Sequence, residues 1–452
     1  MEITLKKLKK IINILSINNI EENQMFNYFR IVKIDPNEKL EDKKVLFFPI
    51  QITEKEAEDE GWYKNTLDNR NKINEYIKNN PERFYVVDNE TAQIIKNKNA
   101  QYIIVDDIKQ SIDKIMNYVM LDKKEFILAT GSVGKTTTIS LIEQVINKNV
   151  LRIYSKRITP LILKTYLINF MTKDIKYIVM EAGLYRKFQV EYYAKLLKPK
   201  IGILINIEKE HFGIDGINSL DDIIIAKAKL LLYCDYAIIN NMDKTIQMLT
   251  FNNNEIRYKN ILIGKHHLKK VIKINAYDDK LHPYINTNLS KLQNQIAKET
   301  GLLLGINEKK LIKSINKAIP KENRIQKIKY KFKTIIFDGE VSGVARLKVL
   351  SEHNYKNAIL IIEHLTNDGE EKEDYIKLID IFKKYNKVYI NKKIDEANLF
   401  KECQNVIFYE NLNLNKLQKN TQIFYHYGSY YRKYNIINKK KLFGGKKWKQ
   451  YF

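Results

Sequence analysis

Cysteine, glycine and proline are scarce in this chain of 452 residues, which has 2 Cys, 16 Gly and 7 Pro. This usage excludes collagen-like chains and disordered chains rich in glycine and proline. Cys234 and Cys403 lie far apart in sequence, which excludes a small disulfide scaffold and fits a reducing compartment, so we expect a cytoplasmic protein. No apolar run approaches the roughly 18–20 residues that a membrane-spanning helix needs. The N-terminal segment also lacks the compact apolar region and the small-residue cleavage site of a signal peptide.

Acidic residues are outnumbered, with 53 Asp and Glu against 78 Lys and Arg, which gives a net charge of +25. Such a balance is typical of proteins with an anionic partner, such as nucleic acid, a membrane surface, a nucleotide or an acidic sugar. The lysines are spread along the whole chain, however, so the charge alone favours no partner. The exception is the tail at residues 439–449, where basic and aromatic residues interleave. That tail is either a solvated end or a contact with an anionic membrane or a lipid-linked substrate.

Short apolar runs alternate with helical stretches from residue 125 onward, which predicts an α/β protein with mostly parallel sheets. The first set of strand-like runs lies at residues 126–129, 177–180, 201–205, 237–240 and 261–263. A helical stretch follows at about 289–304, and a helical run at 371–385 lies within the second set. The second set lies at residues 334–337, 358–362, 388–390, 406–409 and 423–425.

Three domains follow from this pattern. We predict a small N-terminal α/β domain at residues 1–121, with apolar runs at 45–50, 84–87 and 102–105. A central doubly wound domain with a phosphate loop spans 122–318, and a Rossmann-like α/β domain spans 319–452.

The clearest motif is T-G-S-V-G-K-T-T-T at residues 130–138, between a predicted strand and a predicted helix. It matches the phosphate loop pattern except that Ala129 takes the place of the first glycine. Glycines let the backbone curl so that its N–H groups face phosphate oxygens, and the helix N-terminus adds partial positive charge. Lys135 is expected to reach the β- and γ-phosphates, and the Thr136 hydroxyl to ligate Mg²⁺. The residues predicted to bind nucleotide here are Gly131, Ser132, Val133, Gly134, Lys135, Thr136 and Thr137.

Further candidates for the site follow the next strands. Glu181 ends the run at 177–180, where ligands of open α/β sheets gather, so it is placed to hold Mg²⁺. His211 follows the run at 201–205, and a lone histidine there is either a ligand or a structural residue. Ser219 is a predicted helix N-cap, and Lys227 lies about two turns into that helix. From its helix alone, Lys227 is predicted to be a solvated lysine.

Together these segments resemble the Mur ligase family, the ATP-dependent amide ligases of peptidoglycan precursor synthesis and their relatives. T-G-S-V-G-K-T-T resembles the phosphate loop of the family, and V-M-E-A-G at residues 179–183 resembles its strand with a metal-binding glutamate. N-I-x-x-x-H at 206–211, followed by S-L-D-D-I-x-x-A-K from Ser219, resembles the segment that ends in the family's carbamylated lysine. Weaker similarities are found at Asn294, at Arg324 and at Asp338.

The resemblance implies that a carboxylate attacks the γ-phosphate of ATP and that an amine then attacks the acyl phosphate. It implies two Mg²⁺ ions, the first held by Thr136 and Glu181 and the second by His211. It also implies a carbamate formed from CO₂ on Lys227. Asn294 would contact adenine, while Arg324 and Asp338 would close on ATP. The N-terminal domain would bind a UDP-linked or other acid substrate, in cell-envelope precursor, capsule or poly-amino-acid synthesis, without nucleic acid.

Two segments depart from the family where it handles the amine, at residues 337–343 and 427–429. We therefore do not expect a housekeeping peptidoglycan ligase. Two alternatives stay open at this point. One is a nucleic-acid-associated ATPase with a phosphate loop, suggested by the charge of +25. The other is a degenerate, non-catalytic ATP-binding scaffold of the same family.

Overall fold

The computed structural model of the chain describes most of its length. The described residues are 2–32, 40, 43–59, 67–120, 124–154, 158–210, 212–214, 216–320, 326–330, 332–338, 344–352, 357–365, 371–414, 417 and 421–426. Within them, no helix has both the length and the hydrophobicity required to cross a bilayer. The C-terminal tail at 439–449 lies outside the described residues.

The N-terminal part of the chain folds around a mixed sheet of five described strands, with order β2-β9-β8-β5-β4. Strands β2 and β9 pair antiparallel and the other pairs are parallel, while β1 with β3 and β6 with β7 form two small antiparallel ribbons. The strands are β1 (Ile3–Thr4), β2 (Ile14–Asn18), β3 (Met25–Phe26), β4 (Tyr28–Arg30), β5 (Val45–Phe47), β6 (Gln51–Ile52), β7 (Leu67–Asp68), β8 (Phe84–Val87) and β9 (Gln101–Val105). The helices are α1 (Leu5–Leu8), α2 (Glu54–Asp59), α3 (Ile73–Asn79), α4 (Asn89–Gln93) and α5 (Ile108–Val119), with a 3-10 turn at Arg70–Lys72.

The central part is built on a parallel sheet of six described strands, with order β11-β12-β10-β13-β14-β18. Its strands are β10 (Glu125–Thr130), β11 (Val150–Ile153), β12 (Tyr177–Glu181), β13 (Ile201–Leu204), β14 (Tyr236–Asn240) and β18 (Lys270–Ile274). A three-stranded antiparallel sheet consists of β15 (Leu249–Asn252), β16 (Glu255–Tyr258) and β17 (Ile261–Lys265). The helices are α6 (Lys135–Ile146), α7 (Pro160–Phe170), α8 (Gln189–Leu197), α9 (Leu220–Ala228), α10 (Asn288–Leu303) and α11 (Glu308–Ile315), with 3-10 turns at Lys229–Leu232 and Ile246–Met248.

The C-terminal part has a sheet of six described strands, with order β19-β20-β24-β21-β22-β23, and only β19 runs antiparallel to its neighbour. The strands are β19 (Gln326–Tyr330), β20 (Lys333–Asp338), β21 (Ile359–Ile362), β22 (Lys387–Asn391), β23 (Val406–Tyr409) and β24 (Gln422–His426). The helices are α12 (Val344–Leu350), α13 (Lys372–Ile376) and α14 (Leu378–Phe382), with a 3-10 turn at Asp395–Phe400.

The predicted fold class is confirmed, because parallel sheets flanked by helices form the central and C-terminal parts. Apolar runs buried on both faces are the physical reason. Ile127, Leu128 and Ala129 of β10 are all completely buried, as expected for a central parallel strand. The domain boundaries at 121/122 and 318/319 stay predictions.

Two of the predicted elements differ from the structure. The run at 261–263 does not extend the main sheet, because it lies in β17 of the antiparallel sheet, where Ile261 and Leu262 are about half exposed. Asn253 and Asn254 have φ of 50° and 60°, which suits the two-residue turn of the β15–β16 hairpin. The predicted helical run at 371–385 is also divided, into α13 and α14.

Asn169 of α7 joins the central part to the N-terminal sheet. Its Oδ1 accepts a hydrogen bond from the backbone N–H of Phe29 at 2.8 Å, and its Nδ2 donates to the Phe29 carbonyl at 2.6 Å. Asn169 is buried, so water cannot replace these bonds. One side chain therefore satisfies both backbone groups of a buried residue in β4.

We expect Asn169→Ala to lower the free energy of unfolding by about 2–4 kcal/mol, because it leaves the two Phe29 groups buried without partners. Urea unfolding, followed by circular dichroism, measures the change in the free energy of the first unfolding transition. The matched control is Asn386→Ala, which changes an exposed asparagine and should cost less than about 0.5 kcal/mol. Equal stability of the two variants would show that the Phe29 contact contributes nothing.

Candidate active site

The phosphate loop connects β10 to α6, and its shape depends on two glycines. Gly134 has a φ of +93°, a conformation that side chains rarely adopt. A Cβ at this position would lie 2.8 Å from Gln293 Nε2. At Gly131, a Cβ would lie 2.9 Å from the Cβ of Ile205. Both positions therefore require glycine, one for its backbone angle and the other for the close approach of β13.

Asn206, which follows β13, holds the loop in place. Its Oδ1 accepts from the Val133 N–H at 2.9 Å, and its Nδ2 donates to the Val133 carbonyl at 2.9 Å. The Ser132 N–H donates to the Asn206 carbonyl at 3.1 Å. Asn206 thus supports the loop rather than reaching toward the phosphates. Asn206 begins the N-I-x-x-x-H motif, but the motif by itself does not predict this role.

Thr136 and Glu181 are brought together by the pairing of β10 with β12. Ala129 lies opposite Glu181 in this parallel pair, and the Thr136 hydroxyl donates to Glu181 Oε2 at 2.9 Å. A hydroxyl and a carboxylate are oxygen ligands that suit Mg²⁺. His211 lies outside the described residues, and within the described part of the chain no group of three or more Asp, Glu, His or Cys side chains forms a metal cluster.

Lys227 of α9 is completely buried, so it is not the solvated lysine that its helix alone suggested. Its Nζ donates to Ser132 Oγ at 3.0 Å and to Glu210 Oε1. Burial and the nearby positive charge of Lys135 lower the pKa of Lys227, while the Glu210 carboxylate opposes them, and the resulting pKa is about 8. The structure therefore places the predicted site lysine against the phosphate loop.

Glu210 lies between two lysines and was not among the predicted site residues. Besides Lys227, it has Lys135 as a neighbour, with Nζ and Glu210 Oε2 4.0 Å apart. Lys135 itself donates to the backbone carbonyls of Gly131 at 2.6 Å and Ser132 at 3.1 Å. Glu210 directly precedes His211 in the N-I-x-x-x-H motif. That position is the feature of the sequence that could have identified Glu210 as a site residue.

A pocket opens beside α6 and α10, with a volume of about 530 Å³ that includes space open to solvent. Its lining includes Thr137 of the phosphate loop and Asn294 of α10. The amide nitrogen Nδ2 of Asn294 is buried and has no hydrogen-bond partner, whereas neighbouring Gln293 donates to the Gly134 carbonyl at 3.1 Å. An unpaired donor in a pocket beside a phosphate loop suits the base of a nucleotide. Other residues that line the pocket include Leu141, Tyr284, Ile319, Pro320, Arg346 and Val349.

The structure places Asp338 at the end of β20 as a completely buried residue. Arg346 Nε donates to Asp338 Oδ2 at 2.9 Å, and His426 Nδ1 lies 3.5 Å from the same oxygen. Burial raises the pKa of Asp338, but Arg346 and His426 outweigh it and hold that pKa well below its usual range. Arg346 lines the pocket and Asp338 lies behind it, so the contact of Asp338 with ATP stays a prediction. Arg324 lies outside the described residues.

Ion pairs connect the phosphate-loop region to the C-terminal part. Glu208 Oε1 accepts from Lys348 of α12 at 2.8 Å. Lys209 Nζ lies 2.8 Å from Asp374 and 3.1 Å from Glu371, at the N-terminus of α13. Because α12 and α13 begin at the carboxyl edge of the C-terminal sheet, that edge faces the phosphate loop.

Comparisons with known proteins agree with this geometry. Residues 129–284 match the family model of the Mur ligase middle domain. The UDP-N-acetylmuramoylalanine–D-glutamate ligase of Natranaerobius thermophilus is 24% identical over 305 residues, which cover 63% of this chain and 63% of that protein. The alignment thus spans less than two thirds of this relative. The UDP-N-acetylmuramoyl-tripeptide–D-alanyl-D-alanine ligase of Rickettsia prowazekii is 25% identical over 41% of this chain and 42% of its own length.

Among solved structures, MurF from Acinetobacter baumannii matches with a TM-score of 0.72 and 13% identity, over 98% of this chain and 99% of that one. MurF from Thermotoga maritima, in complex with ADP, matches with a TM-score of 0.65 and 13% identity, over 92% and 97%. At this identity the likeness shows that the fold extends over all three parts of the chain.

We expect Lys135→Ala to weaken ATP binding by about 10- to 100-fold, the effect of losing one charged hydrogen bond to phosphate. The fold should be unchanged, because the polar contacts of Lys135 in the described part of the chain are carbonyls of its own loop and the edge of Glu210. Isothermal titration with a non-hydrolysable ATP analogue measures the affinity. Lys148→Ala, an exposed lysine after the same helix, is the control and should bind normally. Normal binding by Lys135→Ala would show that nucleotide binds elsewhere.

Proposed function

Because this chain belongs to the Mur ligase family, we propose that it is an ATP-dependent ligase that joins a carboxylate to an amine. In the first step, a carboxylate oxygen attacks the γ-phosphorus of ATP, which forms an acyl phosphate and releases ADP. In the second, the amine nitrogen attacks the acyl carbon, loses a proton and displaces inorganic phosphate. The product is an amide.

One observation carries this proposal: Lys135, Thr136, Glu181 and Lys227 converge beyond the carboxyl ends of neighbouring strands, beside a pocket that suits a nucleotide base. This arrangement favours chemistry at the γ-phosphate, because the lysine of a phosphate loop lies at the β/γ end of the triphosphate. Positioning and neutralisation of charge supply most of the catalysis in such a transfer.

Thr136 and Glu181 fit a Mg²⁺ ion, since their oxygens are already within hydrogen-bond distance. We propose that they hold the first metal ion and that His211 serves a second. When bound, Mg²⁺ would neutralise negative charge on the phosphates. Loop backbone N–H groups, Lys135 and the metal ligands would orient the triphosphate, and Asn294 would bind its base.

Lys227 is proposed to carry a carbamate in the working enzyme. A neutral amine can attack CO₂ and lose a proton, which gives an anionic carbamate. The low pKa of Lys227, about 8, makes the neutral amine accessible near neutral pH. The modification would replace a cation by an anion beside the metal region. The competing state is the ammonium form paired with Glu210.

For substrates, we propose that the N-terminal domain takes a UDP-linked or other small acid and that the C-terminal domain takes an amine. The relatives named above act in UDP-N-acetylmuramoyl peptide chemistry, which supports a role in the cell envelope. Capsule or poly-amino-acid synthesis is the other setting, and the proposed compartment is the cytoplasm, where ATP is supplied. Contact of the basic tail with a membrane or lipid-linked substrate stays a prediction.

The products of turnover test the ligase proposal. Purified protein is incubated with ATP, Mg²⁺, an amine mixture and a panel of UDP-linked acids, uronic acids and glutamate oligomers, and nucleotides are separated by chromatography. We expect ADP and phosphate to accumulate only when an acid is present. AMP with pyrophosphate would overturn the acyl-phosphate route. ATP hydrolysis stimulated by DNA or RNA, with no response to any acid, would favour a nucleic-acid-associated ATPase, and failure to bind ATP would favour a scaffold.

Carbamate formation has a spectroscopic test. In ¹³C-bicarbonate, the wild-type protein should give a carbamate ¹³C signal that is absent from Lys227→Ala. At fixed dissolved CO₂ the signal should grow as pH rises from 7 to 9. The reason is that the folded pKa of Lys227, about 8, lies below its usual value of 10.5, so the neutral amine becomes abundant across this range.

Lys227→Ala should also lose most of its turnover, and added small carboxylic acids should restore part of it by supplying an anion. A fully active Lys227→Ala enzyme without the ¹³C signal in the wild type would contradict the carbamate and leave Lys227 as an ammonium.

A further inference from the structure

Glu363 stands at the carboxyl end of β21, and the groups that hold its carboxylate within the described residues are neutral. Oε2 accepts from the Tyr409 hydroxyl at 2.6 Å and from the Tyr425 hydroxyl at 2.9 Å. Oε1 accepts from Asn391 Nδ2 at 3.0 Å. Burial and the Glu363 charge raise the pKa of Tyr409 above its usual value, so this hydroxyl remains a donor. Three neutral donors thus converge on one acid.

Within the described part of the chain, the carboxylate of Glu363 has an acceptor position to spare. A carboxylate offers about four lone-pair sites, and two donors meet Oε2 while one meets Oε1. Within the described residues Glu363 forms no salt bridge, and its side chain is partly exposed. Asp338 differs, because it is completely buried and Arg346 binds both of its oxygens. Glu363 is therefore an acid at this edge that a ligand can reach and that pairs with no Lys or Arg of the described residues.

Its place in the sheet is where ligands bind in open α/β folds. Strand β24 lies between β20 and β21, and ligands of open α/β sheets bind beyond the carboxyl ends of such parallel strands. Glu363 N–H donates to the His426 carbonyl at 2.9 Å, which puts Glu363 directly beside the end of β24. The same edge faces the phosphate loop, since Lys209 pairs with Asp374 and Lys348 pairs with Glu208.

His426 provides an independent indication of a ligand at this crevice. Its ring is completely buried, Nδ1 lies 3.5 Å from Asp338 Oδ2, and Nε2 has no hydrogen-bond partner among the described residues. His426 is the last residue of β24, opposite Asp338 of β20. Buried polar atoms are normally paired, so the unpaired Nε2 indicates an additional group at this edge.

We propose that Glu363 binds an ammonium group of the amine substrate, and that this substrate is a cationic amine, such as a diamine. The inference rests on the proposed ligase function and adds the class of its second substrate. A half-exposed anion surrounded by neutral hydroxyls and an amide attracts a cation and repels a carboxylate. The ammonium would occupy the open side of Oε1, while the other amine of the substrate attacks the acyl phosphate across the cleft.

The test measures binding of model amines without ATP turnover. Saturation-transfer NMR titrations compare 1,5-diaminopentane, 6-aminohexanoate and hexanoate, which share a similar chain and differ in charge. For the wild-type protein we expect the diamine to bind at least ten times more tightly than hexanoate. Glu363→Gln, which keeps the acceptor but removes the charge, should weaken diamine binding by about tenfold or more, and Glu363→Asp should restore part of it.

The matched control is Glu410→Gln, at an exposed acid that follows β23 and pairs with Lys392. It changes the total charge equally and should leave diamine binding unchanged. Equal diamine affinity in wild type and Glu363→Gln would overturn the proposal, as would an equal loss in both glutamine variants. If Glu363→Gln fails to fold, the affinities of the wild-type protein for the diamine and for hexanoate decide the question. Tighter binding of hexanoate would contradict the proposal. ATP binding is measured on the same samples. A protein that binds ATP but not the diamine would contradict the amine proposal alone, whereas a protein that fails to bind ATP would contradict the ligase proposal.

Discussion

The Ser132 hydroxyl connects the parts of this molecule on which the site depends. It accepts from Lys227 Nζ at 3.0 Å and from Glu208 N–H at 2.9 Å, and it donates to the Glu208 carbonyl. One side chain of the phosphate loop therefore contacts α9 and the segment after β13. Glu208 in turn pairs with Lys348 of α12. Phosphate loop, buried lysine and C-terminal part thus share one hydrogen-bond network, in which a change at one place is felt at the others.

Most charged groups of this network lie beside an opposite charge, in spite of the net charge of +25. Lys227 and Lys135 share Glu210, and Asp338 is matched by Arg346. A buried ion without a partner would cost several kcal/mol, so each pair is needed where it lies. The excess lysines are mostly on the surface, which is why the total charge said little about function. Glu363 departs from this balance, because neutral donors surround it.

Patterns of short range predicted much of the fold. The strands at 84–87 and 406–409 have the bounds that their apolar runs suggested, because each is a continuous apolar run of strand length. Val150–Ile153 and Lys270–Ile274 were missed, since arginine and lysine interrupt their apolar residues at the sheet margins. The strand at Ile261–Lys265 was placed in the wrong sheet, because an apolar run does not specify its neighbours.

The sequence by itself determined the phosphate loop, Glu181 and the alternation of strands and helices. Each depends on residue types at fixed spacing along a single turn or strand end. Only the tertiary structure decided that Lys227 is buried against Ser132, that Glu210 lies between two lysines and that Asp338 is paired with Arg346. It also brought together Glu363, Tyr409 and Tyr425 from three strands. Burial and charge pairing arise from segments distant in the chain, so no local pattern contains them.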